Sequence, residues 1–217
     1  MTFLRQNAMK PIRSDLQAYI EREILPRYEH FDAAHRRDHA DMVIAQSLTL
    51  AAQTGADPEI AYTIAAYHDT GLCEGRERHH LVSGTIIRSD ANLLRWFTPE
   101  QIETIAQAAE DHRASADHAP RSLYGRIVAE ADRFIDPETV IRRTIQYSLD
   151  HYPALDREGH YHRTLSHLRE KYGRGGYLHL WFDDSPNALR LEQLRQIIDD
   201  ETRLWSIFDA QMTNFGL

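Results

Sequence analysis

The chain has 217 residues, 42% of them apolar and 27% charged, with a formal net charge of −8. That size and balance exclude a fibrous or disordered chain and suit one large globular domain, or a domain with an extension, around a sizeable core. The negative charge argues against binding polymeric nucleic acid, which a basic surface would serve, but it allows a small phosphorylated ligand whose charge a metal and a few arginines offset.

A single cysteine, Cys73, cannot form an internal disulfide and fits a reducing, cytoplasmic setting. The N-terminal stretch MTFLRQNAMKPIR lacks the apolar core of a signal peptide, and the apolar run TIAAY (63–67) is far too short to span a bilayer, so no membrane partner is expected. Thirteen histidines are many for this length. His is the commonest metal ligand and the usual proton carrier, so position decides what they do.

Helix signals run from end to end. Ser14 and Gln17 have the spacing of a capping box, opening a helix that Pro26 ends. A second helix is expected from about Asp38 to Gln53, stopping before Gly55. Asp57-Pro58 reads as an N-cap followed by proline at the first helical position; that helix sets Ile60, Ile64 and His68 on one face and stops near Gly71. Thr98-Pro99-Glu100-Gln101 is another capping box, and its helix aligns Ile102, Ile105, Ala109 and His112. Asp136-Pro137 and Ser185-Pro186 open two more. The last is expected to run from Pro186 to about Met212, with Leu191, Leu194, Ile198, Trp205 and Phe208 at helical spacing. No β-branched run alternates with polar residues, and the glycine-rich stretch 172–187 is the best candidate for irregular or short extended structure. The expectation is an all-α fold, with residues 1–150 a metal-binding helical domain and 151–217 a helical extension packed on it. The long last helix could pack on its own core or pair in a homodimer.

In YHDTG (67–71), His68 and Asp69 are adjacent at the end of an apolar helix, and His68 continues the inward face of Ile60 and Ile64. A buried His and Asp are costly unless paired or bound, and a cation resolves the cost. In HRRDHADMV (35–43), His39 opens a helix on the face of Val43, Gln46 and Leu50. In IVAEADRFID (127–136), Asp132 lies four residues after Val128 within an apolar helical stretch, where a carboxylate needs a partner. Three helices thus offer two His and two Asp, a mixed set suited to Mn, Fe, Co, Ni, Mg or Zn.

The order of these residues, His39, then His68-Asp69 in an AAYHDTG context, then Asp132 in an EADR context, resembles the HD superfamily of metal-dependent phosphohydrolases over roughly residues 30–140. The resemblance implies an all-α HD-domain bundle around a divalent metal held by His39, His68, Asp69 and Asp132. It also implies hydrolysis of phosphoesters of small metabolites or nucleotides. RHHLVSG (78–84) resembles the stretch where some members place a further His four residues before a glycine, which picks His80, with His79 as its neighbour. AEDHR (109–113) resembles the segment that carries one or two more; here only His112 is present, preceded by Asp111. Through His80 and His112 a second metal would bind.

The implied mechanism uses a metal-activated water that Asp69 orients. Glu74, His80 and His112 are candidates to protonate the leaving group. Arg76, Arg113 and Arg133, together with Arg78, are candidates to meet the phosphate. Two other readings stay open: a di-iron oxygenase of the same fold, and a non-catalytic metal- or nucleotide-binding protein. REKYGRGG (169–176) lacks phosphate-loop spacing and reads as a helix end and turn, from which Lys171 or Arg174 could reach over the site. The histidines at 118, 151, 160, 162, 167 and 179 show no coherent spacing.

Overall fold

Most helix starts trace to one side chain that satisfies backbone N–H groups the helix cannot bond itself. The structure, a computed structural model, describes residues 10–31, 35–113 and 118–216. Residues 1–9, within the stretch read above for a leader, lie outside these. Among the described residues there are ten α-helices and no strand, which makes the fold all-α.

Helix α1 (Ser14–Glu23) departs from the expected capping box. Arg13 holds the N-cap position without a side-chain cap bond, and Ser14 is already helical. Pro26 sits in the 3-10 turn (Leu25–His30) that follows. Helix α2 (Arg37–Thr54) stops at Gly55, whose φ of 70° is left-handed backbone that a side chain would strain. Asp57 caps α3 (Pro58–Tyr67), accepting from the Glu59 N–H at 2.8 Å. Every residue of α3 is buried, as its near-continuous apolar composition demands. Its one carboxylate, Glu59, is held at 2.7 Å by Arg13 Nε. A 3-10 turn (Thr70–Glu74) leads to α4 (His79–Ser89), and the full Thr98/Gln101 capping box opens α5 (Pro99–Glu110). Ser122 caps α6 (Leu123–Ala131). Helix α3 packs against α2, α5 and α6. Around it Leu16, Ile20, Tyr28, Ile64, Tyr67 and Ile105 form one core, each contributing roughly 1.5–3 kcal/mol by burial.

Chain contacts divide after Arg133. The second unit holds α7 (Pro137–His151), α8 (Arg157–Tyr172), α9 (Pro186–Asp199) and α10 (Glu201–Asn214), capped by Asp136, Asp156, Ser185 and Asp200. The sequence reading put residues up to 150 with the first part. The structure places α7 in the second, because its Val140, Ile141 and Ile145 join a core with Leu168, Leu194, Leu204 and Phe208. The expected single helix from Pro186 is two: Asp200 leaves helical geometry and accepts from the Arg203 N–H at 3.0 Å to start α10. Of the stretch 172–187, residues 173–185 between α8 and α9 are irregular, with no extended pairing. No helix among the described residues is long and apolar enough to cross a membrane.

Candidate metal centre

Helix ends bring the donors together. His39 is the third residue of α2, and His68 and Asp69 follow the last residue of α3. His79 is the first residue of α4, His112 lies just past α5, and Asp132 is the C-cap of α6. Within a helix, neighbouring side chains diverge by about 100°. The chain leaves helical geometry at Asp69 (φ −108°, ψ 5°), a sparsely populated region common at active sites. That break lets two successive side chains aim at one point.

His39 Nε2 lies 3.2 Å from His68 Nε2, 3.1 Å from Asp132 Oδ1 and 3.5 Å from Asp69 Oδ2. His68 Nε2 is 3.2 Å from Asp69 Oδ2 and 3.7 Å from Asp132 Oδ1. The other oxygen of Asp69 faces a second group. His79 Nε2 is 3.3 Å and His112 Nε2 3.4 Å from Asp69 Oδ1, and the two ring nitrogens lie 3.1 Å apart. Two donor groups, His39–His68–Asp69 and Asp69–His79–His112, therefore share one carboxylate, and Asp132 completes the first.

The tautomers follow from the hydrogen bonds. Nδ1 of His68, His79 and His112 each meets a backbone carbonyl, of Ala65 at 2.7 Å, Arg76 at 2.7 Å and Ala109 at 2.6 Å. A carbonyl only accepts, so each Nδ1 carries the proton and, in the neutral ring, Nε2 carries a lone pair. Two such lone pairs, on His79 and His112, point at each other and at a carboxylate oxygen. A cation among them turns repulsion into ligation, and Nδ1–H to carbonyl is the usual support of a metal-binding His. The donor set thus fits one divalent ion in each group.

Electrostatics agree. Burial disfavours a charged His39, but hydrogen bonds to Asp132 and Asp69 outweigh it and push its pKa up to about 10. Burial also opposes ionisation of Asp69, yet His68, His112 and His39 hold its carboxyl well below the usual range. Asp132 is lowered against burial by His39. In the metal-free chain a proton on His39 stands between the carboxylates where a cation would. His79 shifts the other way: burial, reinforced by His112, keeps it neutral against its bond to the Arg76 carbonyl.

Of the residues singled out in the sequence, His39, His68, Asp69, Asp132 and His112 meet in this cluster. His80 does not, and His79 takes the place expected of it. The i, i+4, i+8 row His79–Ser83–Ile87, with Ser83 and Ile87 buried, is the sequence signal that could have found it. Ser83 Oγ accepts from the Gly71 N–H at 2.9 Å, fixing that face of α4 on the turn after Asp69. His80 is half-buried beside His79, ring centroids 5.6 Å apart, and its Nδ1 has no partner among the described residues. Glu74 is exposed and lines a different hollow, with Tyr19, Arg22, Arg27 and Asp90, that none of the donors lines. Arg76 and Arg113 are at the surface, the first 3.3 Å from His35 Nε2, the second donating to the Glu77 carbonyl at 2.8 Å. Arg133 is half-buried next to Asp132. Asp111 turns away from the donors and accepts from Arg121 N at 2.7 Å and Arg121 Nε at 2.9 Å. Arg174 is occupied by Glu192 and Asp199 within the second unit.

Residues 36–135 match the family model described as HD domain. That stretch holds all six donors. No curated protein and no solved structure matches the chain.

Proposed function

The chain carries an HD domain over residues 36–135, and from that premise we propose that it is a metal-dependent phosphohydrolase acting on a phosphoester of a small metabolite or nucleotide. The observation that carries this reading is the convergence of four imidazoles and two carboxylates on one point, with Asp69 presenting an oxygen to each of two donor groups. His39, His68, Asp69 and Asp132 would hold one divalent ion, of the Mn, Fe, Co, Ni, Mg or Zn kind, and Asp69, His79 and His112 a second. Ions held there would acidify a water to near neutral pH and polarise a phosphoryl oxygen.

The chain's own groups do the rest. The backbone bonds at Nδ1 fix the rings of His68, His79 and His112, so the donors are set before substrate arrives. With both nitrogens committed, His112 is not the proton donor to the leaving group. His80, beside the second donor group with an Nδ1 that has no partner among the described residues, is. Arg76, Arg113 and Arg133 supply positive charge for the phosphoryl oxygens. The single thiol, Cys73, is exposed and fits a reducing cytoplasmic setting.

The second donor group also favours one other reading, a di-iron oxygenase. The test is an assay of mono- and diesters, nucleotides included, with Mn, Co, Ni, Mg, Zn or ferrous iron added back to chelator-treated protein. Metal-dependent phosphate release, lost in Asp69→Ala, is expected. Dioxygen uptake by the iron form without phosphate release would promote the oxygenase. Tight metal binding with neither activity would leave a binding protein.

A further inference from the structure

Helices α7 and α8 flank an open-sided cavity of about 420 Å³ within the second unit, a size that takes a small ligand. None of the metal donors lines it. Helix α8 contributes Arg163, His167 and Lys171, spaced i, i+4, i+8; α7 contributes Thr139, Arg143 and Tyr147 at the same spacing. On a chain whose net charge is −8, the lining holds two arginines, a lysine and a histidine, and no carboxylate. Arg163, Lys171 and Arg143 gather positive charge around one cavity with no carboxylate in its lining, which costs stability unless an anion meets it.

Three other arginines of the unit are neutralised. Arg157 pairs with Asp209, Arg169 with Glu201, and Arg174 with Glu192 and Asp199. Arg143, Arg163 and Lys171 have no carboxylate partner among the described residues. Arg163 is held instead over two rings, 5.1 Å from the centroid of Tyr147 and 4.1 Å from that of Tyr152, which positions a guanidinium while leaving its N–H fork unspent. Burial, with the charges of Lys171 and Arg163, lowers the pKa of His167, leaving a neutral ring able to give or take one hydrogen bond. Tyr172 and Phe134 add ring faces to the wall.

We propose that this α7–α8 cavity binds a small molecule carrying a diphosphate or longer phosphate chain and a planar ring, the chemistry of a nucleoside diphosphate. Three unpaired cations match the charge of such a chain, and arginine forks match phosphate geometry. The aromatic wall takes the ring.

The probe is ADP, titrated calorimetrically into the full chain after chelator treatment, beside inorganic phosphate and adenosine. One equivalent of ADP is expected to bind more tightly than either fragment, and more weakly as salt rises. Affinity falls about tenfold or more in Arg163→Gln/Lys171→Gln and in Arg143→Gln, with melting profiles unchanged, and stays at the wild-type value in Asp69→Ala. The two variants lie on different helices, so misfolding of one leaves the other decisive. No ADP binding, or binding equal in wild type and both variants, overturns the proposal. So does loss in Asp69→Ala alone, which would put the nucleotide at the metal donors. Phosphate or adenosine binding as tightly as ADP removes the combined ligand.

Discussion

His79 and His80 share a side chain and differ by one position on α4, yet their surroundings send them to different chemistry. The first has Nδ1 tied to the Arg76 carbonyl and Nε2 at Asp69 and His112; the second has a buried Nδ1 with no partner among the described residues. His79→Ala should therefore lose about one metal equivalent and about 10- to 100-fold in activity, the range for groups that support a metal site. His80→Ala should keep its metal and lose about 10²- to 10⁴-fold in kcat, the range for general acid catalysis. Metal analysis of both variants decides, and the reverse pattern would reverse the assignment. Nothing in the HH dipeptide alone distinguishes the two, because a one-residue change of register turns a helical side chain by about 100°. His39, His68 and Asp132 were legible because each sits where apolar periodicity points inward, whereas Asp69 was legible only through its place beside His68 and the family resemblance. Asp90 was not legible as a structural residue. Its Oδ2 accepts from the hydroxyls of Tyr19 at 2.5 Å and Tyr67 at 2.6 Å, the latter ring fully buried. Burial would raise its pKa, but these bonds win and lower it. A depressed folded pKa adds stability that is present above the unfolded value near 3.8 and fades as pH falls through the folded one. Asp90→Ala should cost about 1–3 kcal/mol at pH 7 by stranding the Tyr67 hydroxyl. In urea titrations the gap to wild type should narrow below about pH 4. A gap that does not change with pH would refute the role given to ionised Asp90.

At the scale of elements, caps carried most of the legible information. Asp57, Thr98, Asp136 and Ser185 all start helices as their spacing implies, since a side-chain oxygen three residues ahead of an apolar row is a local signal. The break at Asp200 escaped notice because no Gly or Pro marks it and the apolar spacing runs on through Trp205 and Phe208. A close approach of two elements is equally hidden in sequence. At Gly71 a Cβ would overlap the His79 carbonyl oxygen and come within 2.6 Å of the Ser83 backbone nitrogen. Gly71→Ala must push α4 off the turn that follows Asp69. Overpacking of this kind costs about 1–3 kcal/mol, and it should take the second metal with it, because His79 opens α4. A variant with wild-type melting temperature and full metal content would contradict that packing. Asp111 has an element-level explanation too. Held by Arg121, it ties the chain after α5 to the start of α6, so its position contributes no ligand.

Across the whole molecule, each unit has its own hydrophobic cluster. Their boundary was not legible, since Asp132-Arg133-Phe134-Ile135 carries no linker composition and a candidate metal donor lies one residue before it. The family match ends at residue 135, at the same place. Because the donors come from α2, the end of α3, α4, the end of α5 and the end of α6, an ion in each group would tie together three helices, and two ions sharing Asp69 would link five helices of the first unit. A divalent metal at about a hundredfold over its Kd should add about 2.7 kcal/mol per site. That raises the melting temperature by roughly 5–10 °C for a chain this size, reversibly with chelator. An unchanged calorimetric transition would mean that the donors hold no ion in the folded state.

The most direct test of the central claim is metal content by elemental analysis of protein purified without chelator, wild type beside Asp69→Ala. Two equivalents of divalent metal in the wild type and close to none in the variant, with unchanged helical content, is the expected result, because Asp69 serves both donor groups. A wild type that carries no metal and takes up neither Mn nor Co when they are supplied would contradict it.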